Sequence, residues 1–188
     1  MPDAGRVIAG SAKGVRLRAP GPGTRPLSDR VKQTLFAILE PDLSGAAFLD
    51  LFAGSGAAGI EALSRGAAHA TFVERDPGAV RVIAANLAHT HLEERATVVR
   101  ADAIDWLRRT DPERPGYAVV IVDPPYDQPD MLAGALTALG ARLAPGARVI
   151  AKHFWRDRPP AQVGLLASER ERRFGETALT FYRQQEQR

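Results

Sequence analysis

The chain has 188 residues, enough for one well-packed domain with a small appendage. At 45% hydrophobic and 25% charged residues its composition is that of a soluble globular protein, and zero cysteines exclude a disulfide scaffold and thiolate metal sites while fitting a reducing cytoplasm. No apolar run approaches the roughly 20 residues that span a bilayer, and the opening MPDAGRVIAG has no signal-peptide core, so a cytoplasmic protein is expected.

The net charge of +3 is unevenly spread. Residues 1–40 hold seven Lys/Arg against three Asp/Glu, residues 41–151 ten against fourteen, and residues 152–188 eight against five. An acidic middle between two basic ends suits either a solvated surface or a footprint for a polyanion such as RNA or DNA.

Taken in chain order, residues 6–19 (RVIAGSAKGVRLRA) contain two short β-branched runs around Ser11-Ala12-Lys13-Gly14 and predict a hairpin. Arg6, Lys13, Arg16 and Arg18 would be lifted on that exposed ribbon. The turn-rich PGPGTRP follows, then DRVKQTLFAILE, where Val31, Leu35, Ile38 and Leu39 recur at helical spacing. Ser28 or Asp29 caps this helix and Pro41 ends it.

From residue 46 strands and helices alternate. AAFLDLF, HATFVE, ATVVRAD, YAVVIVD and ARVIAKHF read as strands; GAAGIEALSRG, PGAVRVIAANLAHTHL, AIDWLRR and PDMLAGALTALGARL read as helices. This alternation predicts a doubly wound, mostly parallel sheet with helices on both faces. SERERRFG and ETALTFYRQ then read as a closing antiparallel hairpin joined at Gly175. Seven sheet strands are expected, with residues 1–40 as a basic hairpin-and-helix extension and 41–188 as the main domain.

Two stretches carry chemistry. In DLFAGSGAAG, Gly54, Gly56 and Gly59 form G-x-G-x-x-G at a strand–helix join, and Glu74 lies 20 residues beyond Gly54 at the end of the next strand. That is the spacing of an acid that grips ribose hydroxyls. A nicotinamide or flavin dinucleotide would place its pyrophosphate on the helix N-terminus. Asp50 opposes this, since it would repel phosphate and favour a ligand ammonium. S-Adenosylmethionine carries an ammonium, a carboxylate, a ribose and an adenine, and Asp102 at the third strand's end is placed to accept from the adenine amine. The second stretch, Asp123-Pro124-Pro125-Tyr126, ends a buried strand. Its prolines remove two backbone donors, leaving an acceptor-only surface beside an aromatic face, suited to a flat ring that bears an amine.

DLFAGSG, VERD, RAD and DPPY together resemble class I S-adenosylmethionine-dependent methyltransferases acting on exocyclic amines. With RVIAGSAKGVRLRAP and TRPLSDRVKQTLFAIL before them and GETALTFYR at the close, nearly the whole chain resembles the RsmD family. Its members methylate N2 of one guanine in bacterial small-subunit (16S) rRNA. The resemblance implies a Rossmann-like fold and cofactor contacts from Asp50, Phe52, Ala53, Gly54, Gly56, Glu74, Arg75, Asp102 and Ala103. Gly54 and Gly56 would lie under the methionine part, Glu74 on the ribose, and Asp102 with the Ala103 amide on adenine. Asp123, Pro124, Pro125 and Tyr126 would hold the target base. RNA, as naked rRNA or within an assembling small subunit, would be gripped by Arg6, Lys13, Arg16, Arg18, Arg25, Ser28 and Arg30. One departure stands out: the family often carries an acid after the fifth strand, where this chain reads Ala151-Lys152-His153-Phe154-Trp155.

His69, His89, His91 and His153 lack metal-ligand spacing, and no metal or membrane partner is expected. Ser55 has no His–Asp partners that would make it a nucleophile. Trp106 and Leu107 read as a packed helix face; Trp155 fits core packing or RNA stacking. Two other classes of function compete. One is methylation of another amine, a DNA adenine N6 or a protein amide; the other is a non-catalytic RNA-binding assembly factor.

Overall fold

The computed structural model describes residues 3–21, 27–109, 116–126 and 128–185, which form two compact units, 1–101 and 102–188. The fold is mixed α/β with a mostly parallel central sheet.

In the first unit β1 (Asp3–Arg6) pairs antiparallel with β2 (Arg16–Arg18). The first strand ends where the predicted hairpin begins. The intervening backbone partly continues the hairpin, with Val7 N donating to Val15 O at 2.9 Å and Gly14 N to Val7 O at 2.8 Å, and partly bonds elsewhere: Ser11 N donates to Ser64 O at 2.9 Å and Ala12 N to Ser64 Oγ at 3.0 Å. Ile8 N and Ala9 N donate to the buried Glu61 carboxylate at 2.7 and 3.1 Å. The loop is therefore docked along its backbone, while the Arg6, Lys13, Arg16 and Arg18 side chains are exposed.

Helix α1 (Asp29–Leu43) is capped by Ser28, whose side chain accepts from Val31 N at 3.4 Å. Pro41 does not end it. A proline so near the terminus removes a single helical bond, and Leu39 and Leu43, at 0% and 1% exposure on either side of it, keep the last turn packed. The chain leaves the helix at Ser44, and Gly45 follows with φ +72°.

Strands β3 (Ala47–Leu51), β4 (His69–Glu74) and β5 (Ala96–Arg100) lie parallel in the order β5-β4-β3. Helices α2 (Ala57–Ser64) and α3 (Pro77–Thr90) make the connections, and every residue of α2 is buried. The apolar runs of β3 and β4 have the continuous pattern of strands covered on both faces.

The second unit begins with α4 (Ala103–Arg108), followed by β6 (Tyr117–Val122), α5 (Pro129–Ala138) and β7 (Leu143–Phe154). Helix α5 is shorter than its apolar pattern. A 3-10 turn over Gly140–Arg142 replaces its end, with the Arg142 guanidinium donating to Trp106 O at 3.0 Å and to Arg109 O. Strand β6 runs parallel to β7, while β10 (Thr177–Gln184) is antiparallel to β7 and to β9 (Leu166–Phe174). The expected closing hairpin is thus present.

One strand exceeds the expected seven: β8 (Gln162–Val163) pairs with the edge of β9. Two residues cannot show a period-2 pattern. Tertiary bonds hold the segment there, with Tyr182 Oη donating to Pro160 O at 2.7 Å and Ser168 N to Ala161 O at 2.8 Å. No described helix is long and apolar enough to cross a membrane.

Candidate active site

Between β3 and α2 the chain makes a sharp, strained turn. Phe52 has φ 60°, a left-handed conformation that costs a non-glycine residue about 1–3 kcal/mol, and such strain persists where the surroundings enforce it. Gly54 and Gly56 follow with φ 55° and 75°. Gly59 meets a different demand, since a Cβ there would lie 2.3 Å from the Phe72 ring of β4. The third glycine is what lets α2 pack closely on the sheet.

Two carboxylates brace this loop. Glu74 Oε2 accepts from Gly54 N at 2.9 Å and Oε1 from Asp76 N at 2.9 Å. Asp50, 2% exposed, accepts from Gly59 N at 2.9 Å through Oδ2. A carboxylate oxygen has two lone pairs, so each Glu74 oxygen that holds an amide retains capacity for a hydroxyl. Ala53 is mostly buried and donates to Val73 O at 3.2 Å; Arg75 is exposed directly after Glu74. Asn86 of α3, 1% exposed, also supports the loop. Its Nδ2 donates to Ser55 O and to Arg18 O, each at 2.9 Å, and its Oδ1 accepts from Arg18 N at 2.9 Å. One buried amide thus joins the N-terminal segment to the glycine loop. A lone Asn in a helical pattern carries no such signal in sequence.

In the second unit Asp102 caps α4, with Oδ1 accepting from Ile104 N at 3.0 Å and Asp105 N at 3.1 Å; Ala103 behind it is buried. The Asp123-Pro124-Pro125-Tyr126 run leaves β6, and Pro124, Pro125 and Tyr126 line a pocket of about 240 Å³ together with residues of α5 and of the segment after β7. The Tyr126 hydroxyl is 2.7 Å from Thr177 Oγ1, which fixes the ring's direction.

Asp123 is paired with Lys152, which the sequence singled out only as a departure. Lys152 Nζ lies 2.8 Å from Oδ1 and 2.9 Å from Oδ2, and 5.2 Å from the Tyr126 ring centroid. Burial pushes the Asp123 carboxyl above its ordinary value, and the ammonium pulls part of that back. For Lys152 burial acts downward, but the facing Asp123 and Tyr126 outweigh it and hold the ammonium above its ordinary value. Strand register explains the pairing: Val122 pairs with Ala151 across the parallel β6–β7 ladder, so Asp123 and Lys152 are the next positions along.

The proposed RNA-gripping residues are unequal. Arg6 pairs with Asp29 at 3.0 Å and Arg16 with Asp3 at 2.7 Å, both at the exposed surface. Lys13, Arg18 and Arg30 are exposed, and Ser28 is occupied as a cap. Arg25 lies outside the described residues. Trp155 is half-buried between Arg156 and Arg173, whose guanidinium carbons lie 4.9 and 3.7 Å from its ring. Trp106 packs near Tyr117 and Arg142, and Leu107 is fully buried. His153 is buried against Thr180 and the Phe154 carbonyl.

The family model described as "Conserved hypothetical protein 95" matches residues 5–183. A putative rRNA methyltransferase, YlbH of Bacillus subtilis, is 38% identical over 181 residues, covering 95% of this chain and 98% of its own. Ribosomal RNA small subunit methyltransferase D of Escherichia coli K12 is 43% identical over 122 residues, 64% of this chain and 60% of that one. A solved structure, the putative methyltransferase YhhF from Escherichia coli, superposes with a TM-score of 0.85 at 33% identity, covering 97% of this chain and 98% of its own. The sheet order and connections are accordingly those of a Rossmann-like class I methyltransferase. The chain belongs to the RsmD family.

Proposed function

We propose that this protein methylates the exocyclic N2 amine of a guanine in bacterial small-subunit rRNA, with S-adenosylmethionine as methyl donor. The observation that carries the reading is the acceptor-rich run after β6, Asp123-Pro124-Pro125-Tyr126, in a chain whose relatives are named as rRNA methyltransferases.

The residues of the glycine loop fit such a donor. Glu74 has acceptor capacity for the two ribose hydroxyls, the α2 N-terminus, whose N-cap Gly56 has no side chain, offers amides to a carboxylate, and Asp50, bonded to Gly59 N, places negative charge beneath the loop. On this reading Phe52, Ala53, Gly54, Gly56 and Arg75 would hold the rest of the donor, and Asp102 and Ala103 would read the adenine. When bound, the sulfonium supplies an already activated methyl group.

The protein's part is to prepare the amine. A guanine N2 lone pair is delocalised into the ring and is a poor nucleophile. Asp123 and the Pro124 carbonyl each accept one amine N–H, which favours a pyramidal nitrogen and stabilises the positive charge that grows on it. Pro125 stiffens the turn, and Tyr126 stacks on the base, a contact worth about 1–3 kcal/mol. The base is drawn out of its stack at a cost of a few kcal/mol. Residues 1–40 act as the RNA-binding extension of the methyltransferase domain formed by 41–188, through Arg6, Lys13, Arg16, Arg18, Arg25, Ser28 and Arg30. The site of action is the cytoplasm.

The test is transfer of a radiolabelled methyl group to small-subunit rRNA, followed by nucleoside analysis. N2-methylguanosine that depends on Asp123 is expected. N6-methyladenosine, or label in protein, would replace this reading with that of another amine methyltransferase, and no transfer at all would leave a binding protein.

A further inference from the structure

We propose that Lys152 is a positioning residue for the target-amine acceptor: its ammonium clamps the Asp123 carboxylate in place and leaves lone pairs on both oxygens for an incoming amine. The inference rests on the assignment of Asp123 as that acceptor, and it goes further by giving the acceptor a partner.

Geometry carries it. Lys152 Nζ contacts both carboxylate oxygens, at 2.8 and 2.9 Å, from a neighbouring strand whose register puts the two residues side by side. The Lys152 side chain is 9% exposed and that of Asp123 25%. This is not a loose surface pair. An exposed ion pair is worth about 0–1 kcal/mol, but breaking a desolvated one leaves a charge stranded. The same ammonium lies over the Tyr126 ring, whose hydroxyl is tied to Thr177, so one cation connects the acceptor to the stacking face.

The carboxylate can serve two donors at once. Two oxygens offer about four lone-pair sites, and the ammonium takes one on each. An amine N–H therefore need not displace Lys152. Without the ammonium, burial would favour the protonated form of Asp123, which in place of an acceptor would present a donor to the amine.

Among the described residues, the other charged and titratable groups around this corner are few. From β7, His153 is engaged with Thr180 and the Phe154 carbonyl. From the segment after β7, Asp157 and Arg158 line the pocket, with Arg158 paired to Glu171 at 3.0 Å. Tyr126 faces Lys152 itself. The contact that sets the Asp123 charge is therefore Lys152.

The experiment compares the pH–rate profile of methyl transfer in wild type, Lys152→Met and Lys152→Arg, alongside Asp123→Ala and calorimetric binding of S-adenosylmethionine. Lys152→Met is expected to keep cofactor affinity, to lose at least tenfold in kcat near neutral pH, and to move the acid limb upward by about 1–3 pH units. Lys152→Arg is expected to restore the wild-type limb and part of the rate. A Lys152→Met enzyme with the wild-type limb overturns the proposal, whether its rate is unchanged or lowered equally at every pH. Should that variant not fold, Lys152→Gln carries the same expectations. Full turnover by Asp123→Ala would instead sink the acceptor assignment, while an inactive Asp123→Ala beside an unaltered Lys152→Met would sink the clamp alone.

Discussion

The amide of Gly54 donates to Oε2 of Glu74 at 2.9 Å, joining the loop after β3 to the end of β4 across 20 residues of chain. An acid placed to meet ribose hydroxyls also braces the loop that would cradle the rest of the ligand. Replacing Glu74 by Ala removes both functions. A hydrogen bond to a charged group contributes about 1.5–3 kcal/mol, so S-adenosylmethionine affinity should fall by at least tenfold in calorimetry. Glu74→Gln, which keeps one acceptor oxygen, should fall between the two. Unchanged affinity in Glu74→Ala, or a preference for NAD, contradicts the assignment.

Asp123→Ala should abolish methyl transfer with little change in cofactor affinity. In the wild type the acceptor must be ionised. Burial places the Asp123 carboxyl above its ordinary value, so the ionised fraction falls as pH is lowered through that raised value. The rate of transfer should therefore decline on the acid side above the ordinary carboxylate range. A profile flat down to ordinary carboxylate pH contradicts this. Tyr126→Phe loses the tether to Thr177 and the hydroxyl that faces Lys152 but keeps the ring, and should cost less than Tyr126→Ala, which removes the stacking face as well.

Asn86→Ala should destabilise the protein by about 1–3 kcal/mol, the usual penalty for leaving buried groups unpaired, here the Ser55 carbonyl and the Arg18 amide and carbonyl. Asn86→Asp would lose the two Nδ2 donations while keeping an acceptor for Arg18 N. Chemical denaturation reports the stability, and calorimetry tests whether loosening the Ser55 carbonyl weakens cofactor binding. Wild-type stability in Asn86→Ala would show that the link is idle.

The hairpin charges can be separated by their pairing. Removing one phosphate-binding cation should reduce the salt slope of RNA affinity by about 0.7–0.9 in log–log terms. All four are exposed, but Arg6 and Arg16 pair with Asp29 and Asp3. Lys13/Arg18→Ala should therefore account for most of the fall in slope of the fourfold Arg6/Lys13/Arg16/Arg18→Ala variant. Cofactor affinity should be unchanged by Lys13→Ala. Identical slopes in wild type and the fourfold variant would move attention to the basic residues of the second unit.

The sequence by itself determined the alternation of strands and helices, the closing hairpin and the glycine loop. These depend on local periodicity and on residues such as Gly54 and Gly56 whose backbone demands are read one position at a time. It also placed Glu74 and Asp123 at strand ends, because a buried run stops visibly where an acid or proline appears. Tertiary contacts decided the rest. Pro41 stayed inside α1 because Leu43 is buried beyond it, and β8 rests on its pairing with β9 and on the bonds from Tyr182 and Ser168 to its neighbours. The docking of the N-terminal loop needed Glu61, Ser64 and Asn86, residues that lie 52–68 positions away in sequence from their partners there. Lys152 shows the limit most clearly. Nothing local marks a lysine at a strand end as the partner of a particular carboxylate 29 residues earlier; that pairing is set by the register of two parallel strands, which forms only when the sheet does.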